Sequence, residues 1–181
     1  MPNHEQPTLY IFSGLPGAGK STLAQQLAGK LGCVFLRIDT IEQAIRDLCS
    51  FQVHGEGYEL AYRVAADNLR IGNSVIADSC NPIELTRFEW ENVARHSGAR
   101  YLNLEIHCSD KLEHRSRVEA RVSSVQGHKL PTWLDVEHRE YHEWTRERVQ
   151  IDTGGKSIDK AFSELCLAIL EWQKTHETDL R

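Results

Sequence analysis

Gly14-Leu15-Pro16-Gly17-Ala18-Gly19-Lys20-Ser21 satisfies the pattern G-x-x-x-x-G-K-[ST]. Glycine lets successive backbone N–H groups turn inward, and the positive end of a following helix completes a cradle for phosphate. In such a loop Lys20 bridges the β- and γ-phosphates of a nucleoside triphosphate. Ser21, followed by Thr22, brings a hydroxyl to Mg²⁺. The chemistry implied is the binding of MgATP and the handling of its terminal phosphoryl group.

Two aspartates follow short apolar runs. Asp39, in Arg37-Ile38-Asp39-Thr40, is either a carboxylate that takes the proton of an attacking hydroxyl or one that satisfies backbone donors at a helix start. Asp78 closes Ser74-Val75-Ile76-Ala77, as an acid closes a Walker B strand, and is placed to hold Mg²⁺; the other reading is a structural turn residue. Ser79 stands where many ATPase motors carry a second acid, which turns the expectation toward a small-molecule kinase. Arg115, Arg117 and Arg121 fall in one charged helical stretch before a Gly127-containing loop. Guanidinium groups on a closing lid would neutralise charge on a transferring phosphoryl group; the alternative is an exposed helix laced with Glu113 and Glu119 pairs. His138-Arg-Glu-Tyr-His142 lacks the H-E-x-x-H order of a zinc helix; Trp133, Tyr141 and Trp144 either stack a base or close over substrate or, as aromatic residues near helical spacing more often do, pack.

The elements needed to hold these residues are legible in the hydrophobic pattern. Thr8 to Ser13 reads as a buried strand running into the glycine loop, and Leu23, Leu27 and Leu31 mark an amphipathic helix behind it. Cys33 to Asp39 reads as a second strand, with Thr40 capping the next helix. A helix from about Tyr58 to Leu69, a third strand over 74–77, and a helix over 83–96 follow. Arg100 to His107 is the fourth strand. Charged helices over 110–125 and 134–146 flank a loop, Val149 to Thr153 is the fifth strand, and Ile158 to Trp172 is the last helix. Alternating strands and helices imply a three-layer α/β P-loop fold. We expect a five-stranded parallel sheet and a helical arginine lid at about 110–145, within one domain spanning 1–181.

Composition narrows the setting. A net charge of −5 argues against general affinity for nucleic-acid backbone. No apolar run reaches the ~18 residues of a membrane span, and Met1 to Thr8 lacks the pattern of a signal peptide, so a cytosolic (cytoplasmic) location is expected. Five cysteines without C-x-x-C spacing are expected to be reduced and mostly buried.

With these residues in place, the chain resembles the AAA-domain group of small P-loop kinases, which includes chloramphenicol phosphotransferase, gluconate kinase, zeta toxins and phage polynucleotide kinase. Gly14 to Ser21 is similar to the group's phosphate loop, Arg37 to Ile41 to its base-bearing segment, Val75 to Pro82 to its third strand and turn, and Cys108 through Arg121 to its arginine lid. Arg139 to Trp144 followed by Ile151-Asp152-Thr153 is similar to the tail of bacterial members, whose last loop, and so Thr153, would lie near adenine. Several members carry an arginine three residues after the aspartate to hold an acceptor phosphate. Here that residue is Glu42, and the nearest downstream arginine is Arg46. The departure points to a neutral or cationic hydroxyl compound as acceptor. The resemblance implies an ATP- and Mg²⁺-dependent transfer to a small-molecule hydroxyl. The rivals are a nucleotide-dependent switch acting on a protein partner and a nucleic-acid 5′-end kinase; no N-K-x-D segment supports a GTPase.

Overall fold

The computed structural model describes residues 6–177. Strands β1 (Thr8–Ser13), β2 (Val34–Arg37), β3 (Val75–Asp78), β4 (Arg100–His107) and β5 (Val149–Asp152) form one sheet ordered β2-β3-β1-β4-β5, and every neighbouring pair is parallel. The helices are α1 (Lys20–Leu31), α2 (Ile38–Cys49), α3 (Glu56–Arg70), α4 (Glu84–His96), α5 (Lys111–Ala120), α6 (Trp133–Glu137) and α7 (Ile158–Glu177).

Alternation along the strands builds a core on each face of the sheet. Tyr10, Phe12 and Ile76 point to one side, where Leu23 and Leu27 of α1 meet Leu165 and Ile169 of α7. Leu9, Ile11, Val75 and Ala77 point to the other, against Ala61, Ala65 and Leu69 of α3 and Trp90 and Ala94 of α4. A strand covered on both faces needs apolar residues at consecutive positions, which is why these strands read as continuous runs. Full burial of each large aliphatic chain contributes roughly 1.5–3 kcal/mol. The central strand β1 lies between β3 and β4, so the chain changes direction across the sheet at its carboxyl edge. A crevice opens at such a switch point.

Four local expectations need correction. The second strand ends at Arg37 and α2 begins at Ile38, so Asp39 lies in the first helical turn and Thr40 is not the cap. Ile38 is buried in the core under α3, and the adjacent carboxylate gains from the positive helix end. The arginine helix stops at Ala120, and Arg121 adopts an extended conformation at its C-cap. The helix expected over 134–146 is a single short element, α6, held by a reciprocal Thr132–Asp135 capping box. Beyond it, Arg87 of α4 donates to the carbonyls of His142 at 3.0 Å and Glu143 at 3.2 Å, and its guanidinium stacks on Tyr141 and Trp144. Those carbonyls therefore serve a buried cation where a helix would need them for its own ladder. The aromatic pair does pack, as expected. Finally, all five cysteines are free, but none is fully buried and Cys49 is exposed. Burial still pushes the Cys33 thiol up to about 11. No helix among the described residues is long and apolar enough to cross a membrane.

Candidate active site

Between β1 and α1 the chain forms the glycine loop. The N–H of Gly14 donates to the Cys80 carbonyl at 3.1 Å, and its φ is +134°. A β-carbon there would collide with the Ile106 carbonyl on β4, so only glycine fits. Gly19 caps α1 in the left-handed region without any side-chain bond, leaving the helix N-terminus free to face an anion. The Lys20 ammonium donates to the Leu15 carbonyl at 3.1 Å and is nearly buried.

Three side chains from outside the loop hold its shape. The Thr153 hydroxyl lies 2.9 Å from the Ala18 carbonyl, to which it donates, and accepts from Arg117 Nη1 at 2.8 Å. Arg117 Nη2 also donates to the Thr153 carbonyl at 2.9 Å and to Glu113 at 2.6 Å, and Glu113 in turn accepts from the Gly155 N–H at 2.7 Å. His114 of α5 is the functional residue that sequence reasoning missed. Its Nε2 donates to the Pro16 carbonyl at 2.8 Å, and its ring meets the edge of Trp133. Burial, reinforced by the nearby charges of Lys20, Arg117 and Arg121, holds this imidazole below its ordinary 6.5, and the bond to Pro16 opposes the shift. No periodic signal marks His114; its role depends on α5 crossing over the loop, which only the tertiary fold arranges.

Asp78 sits at the end of β3, in register with Phe12 of β1 and Arg37 of β2, and is 3% exposed. Lys20, Ser21 and Arg37 all favour its charged form, and Arg37 Nε lies 3.9 Å from Oδ2. Burial pushes the Asp78 carboxyl up, against the pull of Lys20. Its Oδ2 is buried with no hydrogen-bond partner among the described residues. A hydroxyl and a carboxylate at the phosphate loop are the hard oxygen donors that suit Mg²⁺, which takes its other ligands from phosphates and water.

These groups line one cavity of about 1210 Å³ that also contains Asp39, Arg121 and Thr22. Asp39 is half exposed, and its Oδ2 is 3.9 Å from His128 Nε2. Arg121 enters with Nε and Nη2 buried and unpartnered among the described residues. Arg115 does not line the cavity; it pairs with Glu119 at 2.8 Å on the exposed side of α5. The structure thus brings together Lys20, Ser21, Asp39, Asp78, Arg117, Arg121 and Thr153, and leaves Arg115 outside.

A model of the family described as "AAA domain" matches residues 9–136. The chain belongs to this AAA-domain family of P-loop kinases. The AAA-domain match covers the loop, both aspartates and the arginine helix. A protein of Pyrococcus furiosus named "Putative adenylate kinase" is 24% identical over 188 residues, spanning 93% of each chain. The gluconokinase of Sinorhizobium meliloti 1021 superposes with a TM-score of 0.71 at 15% identity, covering 98% of this chain and 99% of that one. The APS kinase of Mycobacterium tuberculosis, solved with AMPPNP and APS, superposes with a TM-score of 0.61 at 17% identity, covering 92% and 98%. These structural likenesses are likenesses of fold. The AAA-domain family and the loop geometry make this a nucleotide-binding, kinase-like P-loop domain.

Proposed function

We propose that the protein transfers the γ-phosphate of MgATP to a hydroxyl of a small molecule. The observation that carries this reading is the position of Asp39 in the same cavity as Lys20, Ser21 and Arg121. A carboxylate in the phosphoryl-transfer cavity can accept the proton of an attacking alcohol. It would repel a nucleophile that is already an anion, which sets this site apart from transfer onto a phosphate.

The loop N–H groups and Lys20 hold the β- and γ-phosphates, and Ser21 and Asp78 hold Mg²⁺, which when bound draws charge from the phosphate oxygens. Thr153, Arg117 and His114 keep the loop in shape. Arg117 has its guanidinium engaged on Thr153 and Glu113, so its part is positioning. Arg121 has donors to spare and is the arginine that meets charge on the transferring group. Catalysis is then positioning plus preorganised electrostatics.

The test is ADP release and product formation by the purified chain across a panel of alcohols. Acceptor-dependent ADP release with a phosphorylated product supports the reading. Release that responds only to a protein partner, with no phosphorylated small molecule, would replace it with the switch. A second reading, transfer onto a nucleoside monophosphate, is favoured by the relative from P. furiosus; ADP formation from ATP and AMP in place of any alcohol would establish it.

A further inference from the structure

The cavity holds more cationic side chains than a triphosphate needs. Away from the phosphate loop its wall carries Arg37, Arg121, Lys129 and Arg139, with His128 beside Asp39. The carboxylates on that side are mostly committed elsewhere. Glu42 pairs with Arg46 at 3.0 Å, and Asp135 accepts from Thr132 in the capping box. Asp78 is shared between Lys20 and Arg37, whose Nε is 3.9 Å from Oδ2. Asp39 is the carboxylate left beside Arg121.

Their donors are poorly matched by protein acceptors. Arg37 spends Nη1 on the Ser124 hydroxyl at 2.8 Å, while its buried Nε has no hydrogen-bond partner among the described residues. Arg139 is exposed and reaches the Cys80 sulfur at 3.9 Å, a weak acceptor. Arg121 keeps two buried donors free. These guanidiniums also feel one another: burial lowers the Arg121 pKa, Arg139 and Arg37 lower it further, and Asp39 opposes them. Three guanidiniums with only two carboxylates, Asp39 and Asp78, among them leave positive charge for an anion.

We propose that the acceptor carries an anionic group, a carboxylate or a phosphate, in addition to its reacting hydroxyl, and that Arg139 and Arg37 hold that group while Asp39 faces the hydroxyl. This rests on the phosphotransfer reading above and adds the substrate class. It reverses the neutral or cationic acceptor expected from Glu42, because Arg46 neutralises that carboxylate. A chain of net charge −5 that concentrates cations in one cavity is suited to a small anion more than to a nucleic-acid backbone.

Glycerol, glycerate and glycerol 3-phosphate offer a matched hydroxyl with no charge, a carboxylate and a phosphate. Their binding to the full chain saturated with AMPPNP, followed by calorimetry, tests the site without turnover. Saturable binding of an anionic member, weakened by salt and by at least roughly tenfold in Arg139→Ala, is the expected result. The preferred member separates a carboxylate site from a phosphate site. Arg139 is exposed, so the variant folds; unchanged AMPPNP affinity in it confirms that the loss is local. Preference for glycerol, failure of both anions to bind, equal binding by Arg139→Ala, or preferred labelling of a 5′-hydroxyl oligonucleotide would each overturn the proposal. Anion binding with no ADP release or product from any alcohol would keep the anion site and remove the phosphotransfer reading.

Discussion

The two halves of the cavity satisfy their polar groups in opposite ways. On the phosphate-loop side Lys20 rests on Leu15, Thr153 on Ala18, Arg117 on Thr153 and Glu113, and His114 on Pro16. On the opposite side Arg121 carries buried donors without hydrogen-bond partners among the described residues, and Asp39 is half exposed. The loop half, apart from Asp78 Oδ2, is self-satisfied and so preorganised. The unsatisfied half is completed by its ligand, so discrimination between substrates belongs there.

The largest expected effect that would break this contrast lies on the loop side. Lys20→Ala should lower turnover by roughly 10³-fold or more while thermal melting stays close to the parent, because the side chain makes a single bond to Leu15. An active, folded variant would remove Lys20 from the chemistry. Across the cavity, Arg121→Ala should lower kcat by roughly 10²–10³-fold. Its stability should hold or rise, since the substitution deletes buried donors that nothing satisfies. A large loss in denaturant midpoint would mean that Arg121 is structural after all.

Gly17→Ala sharpens the comparison from the packing side. Gly17 has φ +84°, and an added β-carbon would overlap Val118 of α5. The expected cost is about 1–3 kcal/mol in urea unfolding, with weaker nucleotide binding as the helix backs off the loop. The smallest effect is the pH response of His114. Its folded-state pKa lies below the ordinary 6.5, so the unfolded chain binds the proton more readily. Stability from this group is complete above about pH 6.5 and declines as pH falls from there through the folded-state value. Denaturation curves from pH 7.5 downward should show that slope, and His114→Gln should flatten it.

Much of the fold was legible because strands buried on both faces must be apolar throughout. The runs at 8–13 and 100–107 coincide with β1 and β4 at both ends. The last 'helix' before β5 was not legible. Its residues have helical composition, yet Arg87, buried at 1% exposure, claims their carbonyls. A contact across more than fifty residues outweighs local propensity there. Within the arginine segment, spacing could not separate Arg115, Arg117 and Arg121. The helix ends at Ala120, and that single boundary sends Arg121 into the cavity while Arg115 stays outside.

Sequence alone determined the phosphate loop, the parallel α/β frame and the two strand-following aspartates. Each is a local pattern whose chemistry depends on residues adjacent in the chain. The tertiary structure decided which arginines enter the cavity, that His114 braces the loop, and that Arg37, Arg121 and Arg139 share one wall. Those are matters of distance and unshared charge between separate elements, and a linear order of residues does not carry them.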